Sequence, residues 1–339
     1  MKKTVFCHFF NEEYLLPWWL NHHKQFFDHG VMINYGSWDR SVDIIKEICP
    51  TWEIVDSRNE YFSYPRAGDI DVEVAEYETR YQGWKACLNV TEFLVGDYRL
   101  FDTVDYDIQA KGVVFVDEDR DTLPTYDKPL WEQKINAIDY DIASSPGNKY
   151  NRHARIIHKN SSWAYPEGRH YGYYNTDQLA IFYYAWSPWN VRMKMRRLQT
   201  GAKTHHTEQR DWMVSTQLSQ TGFGRGAGFQ SFPHNLYPPY ALENMYYDML
   251  EVSQPQAEMV KYYTDLMYNP TKEVRTWDRE YDETRHQRRG RFYKNTFEPD
   301  DYFKTRREES KSLLLSTVFD GKPQEDMIEV TKVKNAFII

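Results

Sequence analysis

Cysteine is scarce: only Cys7, Cys49 and Cys87 occur in 339 residues, and no two form a CxxC pair. A disulfide framework and a zinc ribbon are therefore not signalled, and a reducing compartment fits best. Long apolar runs are also missing; none approaches the roughly 18 residues that a bilayer-spanning helix needs. The opening MKKTVFCHFFNEE starts basic, but its apolar stretch ends in Asn11-Glu12-Glu13 without a small-residue cleavage site, so it is not read as a secretory signal. Positive charge is in deficit: 42 Lys and Arg against 50 Asp and Glu leave a net charge of −8. Such a chain is not built to coat a polyanion, and nucleic acid is not expected as a partner. The Gly-rich residues 221–229 lack the Gly-Lys-Ser/Thr that would make them a phosphate-binding loop. No internal repeat is present. These absences predict a soluble, cytoplasmic protein large enough for one big domain or two smaller ones. What is abundant is aromatic side chains, 17% of the chain, which suit stacking on sugars or bases and serve equally well in a core.

The first 120 residues alternate strand and helix patterns. TVFCHFF (residues 4–10) is a continuous apolar run, as expected of a strand buried on both faces. EEYLLPWWLNHHKQFF reads as a helix, with Pro17 near its start and Gly30 as a stop signal. Residues 31–35 form a second expected strand, 41–48 an amphipathic helix with Val42, Ile45 and Cys49 on its stripe, and 51–57 a third strand. Residues 72–94 read as one long helix despite Gly83, and 97–102 and 113–117 as further strands. This alternation implies right-handed crossovers and an α/β fold with a mostly parallel central sheet. From about Asp139 the rhythm changes. Residues 154–159 and 167–174 read as a strand pair and 176–186 as a helix, and the chain beyond Pro239 is helical in pattern and charged. Its one basic cluster, RHQRRGRFYK (285–294), reads as a solvated face or tail, with an acidic partner or RNA as the rival reading.

Three stretches, FFNEEYLLPWWLNHH (9–23), INYGSWDRSVDIIKEI (33–48) and WEIVDSRN (52–59), carry a resemblance in combination. Together they resemble the start of glycosyltransferases with the GT-A fold, particularly family-two-like and family-ninety-two-like proteins of bacteria and large viruses, over residues 1 to about 220. Those enzymes open with a strand followed by Asn-Glu-Glu, continue with a strand ending in an acidic-Gly-Ser-Thr-Asp turn, and carry Arg-Asn after the third strand. The resemblance implies a Rossmann-like GT-A domain over residues 1–235, with a nucleotide-sugar half to about 125 and an acceptor half after it. A helical charged extension, 236–339, follows. It further implies that His8, Phe9, Asn11 and Glu12, with the turn from Asn34 to Asp39, surround the base and ribose of a nucleoside-diphosphate sugar. Arg58 would approach the base or diphosphate and Lys85 the phosphate, while Trp84 packs the core. A nucleoside diphosphate requires such a slot: a flat apolar face, ribose hydrogen-bond partners and nearby positive charge. Asp39 serves equally as N-cap of the helix that follows it. The chain departs from the pattern at Asn34, where relatives carry an acid, and at Trp38, where they carry Thr; the amide keeps hydrogen bonding but loses charge.

Acidic residues cluster between 97 and 121: Asp97, Asp102, Asp105, Asp107, Asp117, Glu118, Asp119 and Asp121. Metal-dependent GT-A enzymes place an Asp-x-Asp-like pair at the end of the fourth strand, where it holds Mn²⁺ or Mg²⁺ against the donor diphosphate through hard carboxylate oxygens. Counted along the expected strands, LFDTVDYD falls in that register, with Asp102 and Asp105 as the pair and Asp117/Asp119 as its rival. The resemblance implies that His170 completes the metal shell, with His158 a weaker candidate. The pairs His22-His23 and His205-His206 lack ligand spacing. The resemblance also implies a general base for an inverting transferase, and Asp177, at an expected helix start beside Thr176, stands at the distance found in the resembled enzymes; Glu167 and Asp211 are alternatives, and dipole stabilisation of that helix is the competing role. The expectation is a metal-dependent transferase moving a sugar from a nucleoside-diphosphate donor to a hydroxyl of a glycan or glycoprotein acceptor. A catalytically degenerate GT-A scaffold that binds glycan or protein is its rival.

Overall fold

The computed structural model describes residues 1–59, 69–104, 107–117, 122–138, 155–159, 175–203, 246–247, 249–251 and 253–269. Four strands lie side by side in the order β3-β2-β1-β4, all parallel: β1 (Lys3–Phe9), β2 (His29–Asn34), β3 (Glu53–Asp56) and β4 (Trp84–Cys87). Their registers align Phe9 with Asn34 and Asn34 with Asp56, so the strand ends share one rim and the strand starts share the opposite one. Both faces are covered, which explains the unbroken apolar run of β1. Val5, Cys7 and Phe9 share a core with α1 (Leu16–His23) and α2 (Ser41–Ile48), whereas Phe6 and Phe10 pack with Ile70 and Val74 of α3 (Asp69–Glu78).

Past β4 the sheet becomes mixed. β8 (Arg155–His158) runs antiparallel to both β4 and β6 (Ile108–Val116), which leaves β6 pointing the same way as β1. β9 (Asn175–Trp186) pairs parallel with β6 and antiparallel with β5 (Glu92–Gly96), while β7 (Asn136–Ile138) and β10 (Ser253–Pro255) extend the far edge. The remaining helices are α4 (Leu100–Thr103), α5 (Leu130–Gln133), α6 (Val191–Lys203) and α7 (Ala257–Tyr268). No helix among the described residues is long and apolar enough to cross a membrane.

Three segments differ from the sequence expectation. Residues 72–94 are not one helix: α3 ends at Glu78, and Gly83 turns the chain at φ +94, a conformation that L side chains rarely adopt. A Cβ there would lie 2.2 Å from the carbonyl oxygen of Lys2, so only glycine lets β4 enter beside β1. Residues 97–102 are not a strand, since Leu100 to Thr103 form a helical turn. Residues 176–186 are a strand rather than a helix, because a continuous apolar run buried on both faces has no period by which the two can be told apart. Within the region expected as a helical extension lie α7 and β10, and Val260, Tyr263 and Met267 share a core with Phe182.

Candidate functional site

Where β1 and β2 end, their loops are tied to each other. The Asn11 N–H donates to Ser37 Oγ (3.0 Å), and Asn11 Oδ1 accepts from the Trp38 N–H (3.0 Å). The Glu12 N–H donates to Ser41 Oγ (2.8 Å), the Glu13 N–H to Asp39 Oδ2 (3.0 Å) and the Arg40 N–H to Glu13 Oε2 (3.0 Å). Asp39 also accepts from the Ser41 N–H through its other oxygen (3.0 Å), so one carboxylate steadies the start of α2 and clamps the neighbouring loop. The turn itself needs Gly36 at φ +77 and bends around Asn34, whose Oδ1 accepts from the Ser37 N–H (2.8 Å). Asn34 Nδ2 donates to Asp56 Oδ1 (3.2 Å) on the next strand, which accounts for the amide: an acid at 34 would face a second carboxylate. Trp38 stands out from this clamp, 43% exposed, its ring set edge-on to Phe10.

The third strand's end is organised by a residue that sequence reasoning passed over. Glu73 of α3 is buried and accepts from Tyr35 Oη (3.0 Å), Ser57 Oγ (2.7 Å), Asn59 Nδ2 (3.2 Å) and the Arg58 N–H (2.8 Å). Burial, reinforced by the Glu73 charge, pushes the Tyr35 phenol well above its ordinary value, so it stays a neutral donor. The Arg58 guanidinium pairs with Glu76 at this rim. From the other side α6 delivers Arg196 to Glu12, and both members of that pair are buried. Burial raises the Glu12 carboxyl above the usual range while Arg196 opposes the rise. Nearby, Asn190 Nδ2 donates to Tyr14 Oη (2.7 Å), and burial pushes that phenol up to about 12. The Glu12–Arg196 contact spans 184 positions, a separation no local pattern could have revealed. Within residues 191–197, α6 carries Arg192, Lys194, Arg196 and Arg197 and no acid, and Arg196 is the one paired with Glu12 at this rim.

Other expected site residues lie elsewhere. Asp102 sits at the opposite rim, 56% exposed, with oxygens 3.8 Å from the N-terminal amine and 3.8 Å from Lys3 Nζ at the start of β1. Lys85 lies opposite Thr4, at the beginning of β4, where its Nζ donates to the carbonyls of Gly83 (3.4 Å) and Lys159 (3.2 Å). Asp177 stands in the first part of β9, beside the stretch paired with the start of β6, and so not at a helix N-terminus; its side chain is outside the described residues. Asp105, Asp119, Glu167, His170, His205, His206 and Asp211 also fall outside them. Asp117 is at the correct rim, but its Oδ2 lies 2.7 Å from the buried Lys134 ammonium. The His22-His23 pair is structural. His23 Nδ1 donates to Trp19 O (3.0 Å) while its Nε2 accepts from the Leu94 N–H (3.2 Å), and His22 binds Leu94 O. Both rings are held neutral by burial, His22 down to about 4.

Of the residues expected to hold a divalent ion, Asp105, Asp119 and His170 fall outside the described ones. The strand count is corrected by β4: the fourth strand is Trp84–Cys87, and Asn89-Val90-Thr91-Glu92 follows its end. An amide and a hydroxyl stand at 89 and 91, after that strand, and among the described residues no group of three or more His, Cys, Asp or Glu is placed to hold a metal.

No family model matches the chain, and no curated protein matches it. Among solved structures, residues 1–349 of S. aureus TarS match with a TM-score of 0.34 and 11% identity, over 74% of this chain and 82% of that one. The same protein in complex with UDP-GlcNAc gives the same values, and its complex with UDP gives 0.34 and 10%, over 68% and 74%. A likeness at that score and identity establishes neither a common fold nor an activity.

Proposed function

We propose that this chain is a nucleotide-sugar glycosyltransferase, moving a sugar from a nucleoside diphosphate to a hydroxyl of a glycan or glycoprotein acceptor, with inversion. The observation that carries the reading is topological. The chain runs outward from β1 to β2 and β3, then returns to place β4 on the other side of β1. Open α/β sheets hold ligands outside the strand ends at such a reversal. The Asn-Glu-Glu and Gly-Ser turns that carry the family resemblance lie at that rim.

In this reading the clamp formed by Asn11, Asn34 and Asp39 shapes the slot and His8 and the exposed Trp38 border it, whereas the Phe9 side chain is buried in the core and Glu12 is buried against Arg196. Arg58, held beside Glu76, supplies charge for the diphosphate. Fold alone assigns no chemistry, so the assignment rests on these residues at this place. No base is assigned: Asp177 lies near the start of β9, which pairs in parallel with the start of β6 and so stands at the rim opposite the Asn-Glu-Glu and Gly-Ser turns.

Calorimetric titration with a panel of uridine, guanosine and cytidine diphosphate sugars tests the reading. Heat with at least one donor is expected, with affinity reduced about tenfold by Arg58→Ala. Absence of heat for every donor would favour the second reading, a non-catalytic scaffold that binds glycan or protein. One observation supports that alternative: the Asn34 amide, standing where relatives carry an acid, already uses both its ends inside the protein.

A further inference from the structure

Resting on that reading, we propose that Tyr126 and Arg192 form the acceptor subsite and that the acceptor presents a neutral pyranose ring to it. β6 runs the same way as β1, so the chain leaves the sheet after Val116 at the strand-end rim, and the segment carrying Tyr126 comes to lie against the Asn-Glu-Glu loop. There the Tyr126 hydroxyl donates to Tyr14 O (3.1 Å), while at the other end of the same loop the Trp38 N–H donates to Asn11 Oδ1 (3.0 Å). Two exposed aromatic side chains therefore flank residues 11–14. Trp38 packs against Phe10 on the α3 face of the sheet, and Tyr126 packs against Trp18 on the α1 face. Trp38 borders the donor slot in that reading, which leaves the opposite face for a second substrate.

Tyr126 is 45% exposed, yet its place is fixed. Trp18 Nε1 donates to the carbonyls on either side of it, Thr125 O (3.0 Å) and Lys128 O (3.1 Å). Gln133 Nε2 donates to the same two carbonyls (2.9 and 3.0 Å), and Gln133 Oε1 accepts from the Thr125 N–H (2.7 Å). The phenol ring leans on the Trp18 indole with centroids 4.2 Å apart. A tyrosine held this firmly offers a ring face to a ligand at little cost in conformational entropy. Arg192, exposed in the first turn of α6, is hydrogen-bonded to the Tyr126 side chain, and its guanidinium carbon lies 5.8 Å from the centre of the Tyr14 ring. Burial raises the Tyr126 phenol, Arg192 lowers it and Glu13 raises it, so charges of both signs stand near the ring. Glu13 is itself exposed, with Oε2 accepting the Arg40 N–H. A guanidinium only donates hydrogen bonds and a carboxylate only accepts them, so the pair suits hydroxyls, which do both, and Glu13 disfavours an anion. A pyranose has that pattern, with C–H bonds on its face and hydroxyls around its edge.

The test titrates the full chain, with and without UDP, with neutral tetrasaccharides of glucose, mannose, galactose and N-acetylglucosamine and with tetragalacturonate, followed by saturation-transfer difference NMR. At least one neutral tetrasaccharide is expected to bind with a Kd below about 5 mM. Tyr126→Ala should weaken it about tenfold or more and Arg192→Gln about fivefold, whereas Tyr126→Phe, which keeps the ring face, should stay within about threefold. Binding that survives Tyr126→Ala, a loss of about tenfold in Tyr126→Phe, binding of tetragalacturonate alone, or no binding of any neutral sugar would each overturn the proposal. Should Tyr126→Ala not fold, Arg192→Gln at its exposed helical position decides: a loss of about fivefold supports the subsite, and unchanged affinity overturns it. The nucleotide-sugar titration is a separate measurement. Sugar binding without nucleotide binding would keep this subsite and end the transferase reading, and nucleotide binding without sugar binding would do the reverse.

Discussion

The two rims of the sheet treat charge differently. At the strand ends, polar side chains bind backbone N–H groups of neighbouring loops, as Asn11, Asp39 and Glu73 do, and so fix the shape of the loops. At the strand starts, titratable side chains meet one another and backbone carbonyls. His158 Nε2 lies 3.4 Å from Glu78 in a fully buried pair, Lys159 Nζ donates to Val104 O (2.6 Å), and Lys85 is buried, its ammonium lowered in pKa by burial against the opposing pull of Glu78 and Asp107. Asp102 belongs to this second set. Which loops and side chains a carboxylate meets thus follows from the direction of the strand beside it.

The comparison can be broken most forcefully at Arg155. Arg155→Met leaves the buried Glu92 charge without its main partner, and a stability loss of about 3–5 kcal/mol is expected in denaturant unfolding. The double replacement with Glu92→Met should recover most of it. Wild-type stability in the single variant would mean that Glu92 is not committed to the fold.

The next effect concerns α1, between the rims. His22 is neutral in the fold, with its pKa lowered from 6.5 to about 4, whereas the unfolded ring titrates normally. Protonation therefore favours the unfolded chain, and the stability present above pH 6.5 is lost as pH falls toward 4. At about 1.4 kcal/mol per pH unit that is roughly 3 kcal/mol. His22→Gln should flatten the stability profile over that window.

A smaller effect is expected at the strand-end rim. Asn34→Asp sets two carboxylates opposite each other on β2 and β3 and should cost about 1 kcal/mol at neutral pH, relieved on acidification below the carboxylate range. Equal stability at neutral and acid pH would show that Asp56 does not face this position. The smallest change belongs to Asp102→Asn. An exposed pair at 3.8 Å contributes little, so stability should stay within about 0.5 kcal/mol and nucleotide affinity should not change. A loss of nucleotide affinity would return Asp102 to the site and undo the distinction between the rims.

Much of the first half was legible. The expected β1, β2, α2 and β3 lie within about two residues of those observed, because strands buried on both faces read as apolar runs and α2 carries a clear apolar stripe. The junction between Glu78 and Glu92 was not legible. WKAC is short and fully buried, and its strand character comes from pairing with β1 and β8 rather than from any pattern of its own. Gly83 was the available signal, and reading it as a break would have moved the fourth strand to Trp84. Glu73 and Arg196 were invisible for another reason: their partners lie on other elements, and Arg196 meets Glu12 across 184 positions of sequence.

By itself the sequence determined that an α/β sheet begins with three parallel strands, and that Asn-Glu-Glu and Gly-Ser turns follow the first two. Local apolar periodicity and turn chemistry act over a few residues and need no partner. Only the tertiary structure decided which strand is the fourth, which rim each acid occupies, and that Asn89 and Thr91 stand beside the reversal. Strand order and direction are set by pairing between distant segments, and a side chain's neighbours follow from that pairing.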